Sequence, residues 1–470
     1  MRIAVDATKQ LAEEPGSGHN RWHPDIEPLA RIGQDKEITL ETRDGIDGQL
    51  GPTSTHADAS VDALDLGLGH PMTGPVYVEG ASPGDVLEVE FVSFEAADFG
   101  VAAIIPGFGF LADLFEEPFV AKFELRDGFA RSEELPGVAV PADIFPGVVG
   151  VAPSHELMEV WRTRESELAA RGGAVADDLP DAAIPSLAAS GARTIPPREL
   201  GGNMDVRGLV AGSRAYFPVE VPGALFSIGD LHFAQGDGET CGTGIEMAGA
   251  ATVRFRVHKN PTWRPRFPAY ETPPQRPRRT FATTGISLDD DGRNEDMNLQ
   301  LATRRAIVEM IEWAGAEQGL SREAAYVLVS IAVDLRLSEI VDVPNPVVSA
   351  VVPLDIFEQP SREEIVRARR RTEIQGALAT EHRRGAALET RVEQAVRNVT
   401  GWRTDDEVAT RLDATTVETL RDMRALLPEP GDDARERMER KVAELEEELA
   451  TCRQRADALG AYLNALDALK

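Results

Sequence analysis

Val86-Leu87-Glu88-Val89-Glu90-Phe91-Val92 sets the fold class. Apolar and acidic residues alternate in it with a period of two, so one face of an extended strand is apolar and the other polar. Val and Phe also suit a pleated, half-buried surface. Pro83-Gly84-Asp85 precedes it, a turn feeding a strand. The arrangement echoes earlier, where Gly33-Gln34-Asp35 leads into Ile38-Thr39-Leu40-Glu41-Thr42. Ala215-Tyr216-Phe217-Pro218-Val219 is a third such run. Residues 1–260 therefore read as mostly β, with short runs parted by Gly, Pro and Asp. Two similar β units packed face to face would give a sandwich or barrel.

Outward from these strands the pattern changes. His155 to Ala170 reads as a helix, and Gly172 to Pro197 as an Ala/Gly/Pro-rich surface loop. Residues 260–293 are rich in Pro and Arg and read as an extended connector. From Asp296 to Gly315, Met297, Leu301, Ile307, Met310 and Ile311 fall at amphipathic helical spacing. Gly319 ends that helix, and Ser321 caps a second one running from about Arg322 to Leu335. Residues 336–357 return to short extended segments. After 360 the chain is charged, poor in glycine and helical in pattern. Met438, Val442, Leu445, Leu449, Cys452, Ala456, Leu459, Leu463 and Leu466 step by four and three in alternation, an a/d seam. Two readings follow: a hairpin with the segment near 361–397, or association with another chain.

The expected fold is mainly β with α/β elements: two packed sandwich- or barrel-like units, a helical pair and a helical tail. Its divisions are a β unit over 1–155, a helix and loop insertion over 156–200, a second β unit over 201–357 with the helical pair near 296–335, and a coiled-coil extension over 360–470.

Composition narrows the function. The 470 residues carry a formal charge of -30, with 49 Lys and Arg against 79 Asp and Glu. Phosphate binding needs clustered cations, so nucleic acid and anionic membranes are excluded as partners. No run approaches the length of a membrane span. The N-terminus lacks the apolar core of a signal peptide, so the expected location is cytoplasmic. Only Cys241 and Cys452 are present, which excludes a disulfide framework and a Cys-rich zinc module.

The densest polar stretch lies between 201 and 246. It opens Gly201-Gly202-Asn203-Met204-Asp205, continues through Asp230-Leu231-His232-Phe233-Ala234-Gln235-Gly236-Asp237-Gly238-Glu239 and closes Cys241-Gly242-Thr243-Gly244-Ile245-Glu246. Asp230 and His232 alternate on one strand and share a face. Gly236-Asp237-Gly238 then bends the chain and returns Glu239 beside it. Asp205 follows two glycines, where backbone can approach a ligand. Asp, His and Glu converging from separate loops form a candidate divalent metal site. A run of turns explains the same Gly and Asp residues equally simply. His70, in Gly69-His70-Pro71-Met72-Thr73-Gly74-Pro75, is a second candidate because it lies on a loop. The polar, aromatic His19-Asn20-Arg21-Trp22-His23-Pro24-Asp25 suggests a pocket wall or a subunit contact.

These residues resemble the acetamidase/formamidase family. The likeness rests on Gly201 to Glu246, Gly69 to Pro75 with Val78 to Asp85, Pro106 to Phe110, Gly147 to Pro153, and Ser338 to Pro344 after Asp334-Leu335-Arg336. It spans roughly residues 15–357, and the loop near 172–197 and the tail depart from it. It implies a β-rich, metal-containing amidohydrolase that cleaves a short aliphatic amide, formamide or acetamide, to carboxylate and ammonia. It further implies a homo-oligomer, a dimer or larger, and the tail suggests coiled-coil contacts from 431–470.

On this reading the cofactor is a divalent metal, zinc first and calcium second. Asp205, His232, His70 and Asp230 are its expected ligands. Glu239 is the expected general base, Asn203 and Gln235 orient the amide, and Asp237 belongs to the catalytic group. A Cys241 nucleophile, with Lys122 or Lys259 as partner, is the rival. No amidase-signature Ser-Ser-Lys run or G-x-S-x-G elbow is present. The alternative function is a catalytically altered or regulatory protein on the same scaffold, using its tail for assembly or partner binding.

Overall fold

The computed structural model describes residues 1–173, 175, 183–273, 278–340, 344–358, 362–400 and 432–467. Residues 1–359 form one compact unit and 360–470 another.

Two large sheets build the first unit. One has six strands, in the order Arg2–Ile3, Glu37–Thr42, Gly249–His258, Val86–Ala96, Arg214–Pro218 and Ala269–Glu271. The other has ten, with Phe99–Ile104, Glu246–Met247, Phe226–His232, Phe145–Val151 and Gly201–Asn203 in sequence across its middle. Each sheet takes strands from both sides of residues 156–200. The β units are therefore sheets that interleave the chain, rather than the consecutive segments 1–155 and 201–357.

The decisive strand behaves as its alternation requires. Leu87, Val89 and Phe91 are fully buried. Glu88 and Glu90 take the other face, where Glu88 lies 2.6 Å from His258 and Glu90 lies 2.9 Å from Arg254. The buried side chains join Phe217, Phe255, Phe145, Val149, Phe226 and Ile228 in one apolar layer between the sheets. Phe226 and Phe255 meet edge to face at 5.0 Å, a favourable ring geometry.

A second core lies on the far side of the ten-stranded sheet. Helices Leu299–Gln318 and Arg322–Ala332 pack there with a three-stranded sheet of Thr280–Gly285, Val347–Pro353 and Asp334–Glu339. The caps explain the helix ends. Asn298 and Ser321 accept from the backbone at Leu301 and Ala324, and Gly319 closes the first helix at φ 72°. Helix His155–Ala169 starts at Ser154, which accepts from Leu157 N.

In the second unit, Arg362–Thr400 and Asp432–Asp467 form an antiparallel helical hairpin. Leu445, Leu449 and Cys452 of the seam pack against Leu388 and Val392. That part of the seam is thus engaged within the chain. Met438 and Leu466 lie outside the described side chains. No helix among the described residues is long and apolar enough to cross a membrane.

Candidate active site

Strand pairing assembles the site. In Phe226–His232, His232 lies opposite Glu246 on one side and Phe145 on the other. On the far side of Phe145–Val151, Asn203 pairs with Val148. Asp205 follows, its N–H donating to the Gly147 carbonyl at 3.2 Å. Four carboxylates, Asp205, Asp230, Glu239 and Glu246, thereby surround one imidazole. His232 Nε2 lies 3.1 Å from Glu246, 3.5 Å from Asp230 and 3.9 Å from Glu239.

Two glycines make room for this crowding. A Cβ on Gly147 would come within 2.7 Å of Asp205 Oδ1 and 3.0 Å of His232 Nε2, and one on Gly45 would collide with Asp230. The backbone is also strained, with Asp205, Asp230 and Glu239 at φ 49°, 55° and 40°. Side-chain-bearing residues seldom adopt this left-handed region, and it clusters at functional sites.

Gln235 fixes the histidine. Its Oε1 accepts from His232 Nδ1 at 2.7 Å, and its Nε2 donates to the Asp205 carbonyl at 3.0 Å. The proton is therefore on Nδ1, and Nε2 faces the acids. Gln235 thus holds His232 in place and is not among the described residues lining the cavity, whereas the expectation made it a group that orients the amide.

Burial dominates the electrostatics. It pushes Asp205 up to about 7, aided by Asp230 and opposed by His232. Burial raises Glu246 to about 8, and burial followed by the Asp205 charge raises Glu239 well above the carboxylate range. At Asp230 burial opposes ionisation, but His70 and His232 overcome it and lower the carboxyl. At His232 burial favours the neutral ring, but Glu246 and Asp230 outweigh it and raise the imidazole. Burial and mutual repulsion thus disfavour the ionised form at Asp205, Glu239 and Glu246, a cost that a proton or a bound cation would relieve.

Asp230, Glu239, Glu246, Asn203 and His70 line one cavity of about 550 Å³. Asp205, His232 and Glu239 present ligand atoms within 4.8 Å of one another, as do Asp230, His232 and Glu246. Asp205 Oδ1, Asp230 Oδ1 and Glu246 Oε2 are sealed from solvent without a well-aligned donor. Such orphaned oxygens around an imidazole fit a divalent cation. His70 lies in neither ligand-spaced group, although its Nδ1 is buried without a hydrogen-bond partner.

Two expectations change. Asp237 is exposed and turned toward Asp334 and Arg207, outside the cluster, because the Gly236–Gly238 bend alternates its side chain away from Glu239. Cys241 is fully buried behind the cavity with its Sγ 3.5 Å from the Ala103 carbonyl, and burial raises the thiol. The lysines are elsewhere, Lys122 on the Ser54 carbonyl and Lys259 on Asp85, so no Cys-Glu-Lys set forms. Sequence reasoning gave no role to Glu246, which only the strand register reveals, or to Gly45, which carries no local signal.

Four carboxylates gathered around one histidine beside a cavity of a β scaffold form a candidate active site, and comparison with known proteins identifies the bond as an amide. Residues 4–359 match the Acetamidase/Formamidase family model, and the chain belongs to that family. A formamidase of Methylophilus methylotrophus is 34% identical over 387 residues, 76% of this chain and 93% of that protein. An acetamidase of Mycolicibacterium smegmatis is 34% identical over 371 residues, 70% of this chain and 88% of that protein. The solved structure of a gamma lactamase from Delftia acidovorans aligns with a TM-score of 0.71 at 34% identity, covering 77% of this chain and 96% of that one. This chain is a hydrolase acting on amides.

Proposed function

We propose that this enzyme hydrolyses short aliphatic amides, formamide and acetamide among them, to carboxylate and ammonia. The observation that carries the reading is the convergence of Asp205, Asp230, Glu239 and Glu246 on His232, with Asp230, Glu239 and Glu246 lining one cavity.

Amide resonance weakens the carbonyl as an electrophile and the amine as a leaving group. The site must therefore polarise the carbonyl, activate water and deliver a proton. Asp205, Asp230 and His232 would hold a divalent cation, zinc ahead of calcium because an imidazole joins the oxygens, with Glu246 and His70 completing the set. Such a cation polarises the carbonyl and acidifies water. Glu239 takes a proton from water as its oxygen bonds to the carbonyl carbon. It returns that proton to the amide nitrogen as the C–N bond breaks, and ammonia leaves. Asn203 Oδ1 is sealed from solvent without a hydrogen-bond partner, and it accepts an N–H of the substrate amide. Gln235 keeps His232 Nε2 turned toward the cluster, as a second layer of hydrogen bonds does at metal sites.

The test is ammonia release from formamide and acetamide, before and after chelation, with metal content measured alongside. Release lost on chelation and regained with zinc supports the reading. Full activity after complete metal removal would overturn the cation's role, and no release from any amide would overturn the activity.

A further inference from the structure

The cavity is larger than these small amides require. Formamide or acetamide displaces about two or three waters, at ~30 Å³ each. The cavity holds about 550 Å³, in the range of pockets that enclose much larger ligands. Its remaining wall is apolar: Ile46, Leu66, Ile105, Phe108, Leu168 and Ile195 share it with the acids. Phe108 and Leu168 are 44% and 39% exposed, so apolar surface on this wall is left for something to cover. Phe108 also sits directly over Gly242, where a Cβ would strike its ring, so the loop is shaped to hold the ring on this wall.

Charge narrows the ligand further. Among the described lining residues there is no Lys or Arg, whereas Asp65 and Glu165 line the cavity in addition to the acids of the site. Arg198 lies 2.6 Å from Glu165 and offsets that charge, and no guanidinium or ammonium in the described lining offers a carboxylate a permanent counter-charge. A carboxylate on the substrate would enter an apolar, acid-lined space without a permanent counter-charge, which is costly.

We propose that the preferred substrate is an uncharged amide whose acyl group carries an apolar chain or ring of several carbons, seated against Phe108 and Leu168. This rests on the amidase reading above and assigns specificity to residues outside the acid–histidine cluster. Each methylene moved from water onto that wall should raise kcat/KM about two- to fourfold, up to the value for full burial.

The experiment compares kcat/KM of the enzyme as purified for formamide, acetamide, butanamide, hexanamide and adipamate, the hexanamide analogue ending in a carboxylate. The expected result is a rise along the neutral series, at least tenfold from acetamide to hexanamide, with adipamate returning to the acetamide level or below. Phe108→Ser and Leu168→Ser, both at exposed positions, should each narrow the hexanamide-to-acetamide ratio severalfold. Release from formamide and acetamide with values falling toward hexanamide would overturn the specificity and leave the amidase reading standing. So would a ratio that neither variant moves. Release from no amide would overturn both.

Discussion

Two groups of acids lie at either end of one short loop, and only one has a permanent counter-charge. On one side Asp205, Asp230, Glu239 and Glu246 surround His232, and among the described residues no arginine or lysine pairs with these acids. On the other, Arg207 pairs with Asp334 and lies 3.1 Å from Asp143, and burial opposes its charge less than those acids favour it. Asp237 belongs to the second group and Glu239 to the first, two residues apart. The Asp237 carbonyl accepts from Leu335 N, and its N–H points to Asp334. A guanidinium ties neighbouring acids into a fixed hydrogen-bonded network and makes them scaffolding. Acids left without one become proton carriers or ligands, and the fold must force them together. The left-handed backbone at Asp205, Asp230 and Glu239 shows that force.

The comparison breaks most sharply at Glu239. Glu239→Gln keeps the shape and removes the proposed proton carrier. We expect kcat to fall ~10³-fold or more, since acid–base catalysis contributes about 10²–10⁴ and the same group serves both steps. Thermal midpoint and metal content should stay close to the parent's. A fully active Glu239→Gln enzyme would remove Glu239 from the mechanism.

On the scaffolding side the balance reverses. Arg207→Leu leaves Asp334, which is 13% exposed, with only Arg336 at 3.3 Å as a cationic partner, and should lower unfolding free energy by roughly 2 kcal/mol in denaturant melts. Residual activity at low temperature should exceed that of Glu239→Gln. Activity lost with stability intact would show that Arg207 acts in the site itself.

Two buried histidines sharpen the same point by pH. His232 is raised by its acids, whereas burial pushes His19 down to about 4, the Arg21 carbonyl opposing only in part. His19 donates from Nδ1 to that carbonyl at 2.6 Å and accepts the Ser227 hydroxyl at Nε2, 2.8 Å away. The neutral ring is thus built into the fold. A folded pKa below the unfolded one gives stability present above about 6.5 and lost as pH falls toward 4, up to roughly 3 kcal/mol. His19→Gln should be less stable at pH 7 and flatter across pH 6.5 to 4 by thermal melts. An unchanged slope would exclude His19 as the source.

The smallest effect is expected at Cys241. Cys241→Ala removes a buried thiol that faces the Ala103 carbonyl rather than the cavity. Turnover should stay within a fewfold of the parent, with a loss of about 1 kcal/mol in stability. Abolished turnover in a folded variant would restore the thiol as a nucleophile.

Much of this molecule was legible in its sequence because the encoding is local. Alternation in Val86 to Val92 specified a strand with one buried face, and Asn298, Ser321 and Gly319 specified helix ends, since caps and periods act over a few residues. The grouping of Asp205, Asp230, His232 and Glu239 was also visible, as polar residues set among glycines within one run. What the run could not state was which chain segments would meet. Strand register placed Glu246 opposite His232, the sheets interleaved distant halves of the chain, and Gly45 and Gly147 opened the space for the acids. The same register occupied both ends of Gln235 and turned Asp237 outward. Local pattern fixes which face a side chain takes. Only long-range pairing, which depends on the whole core packing at once, decides what that face meets.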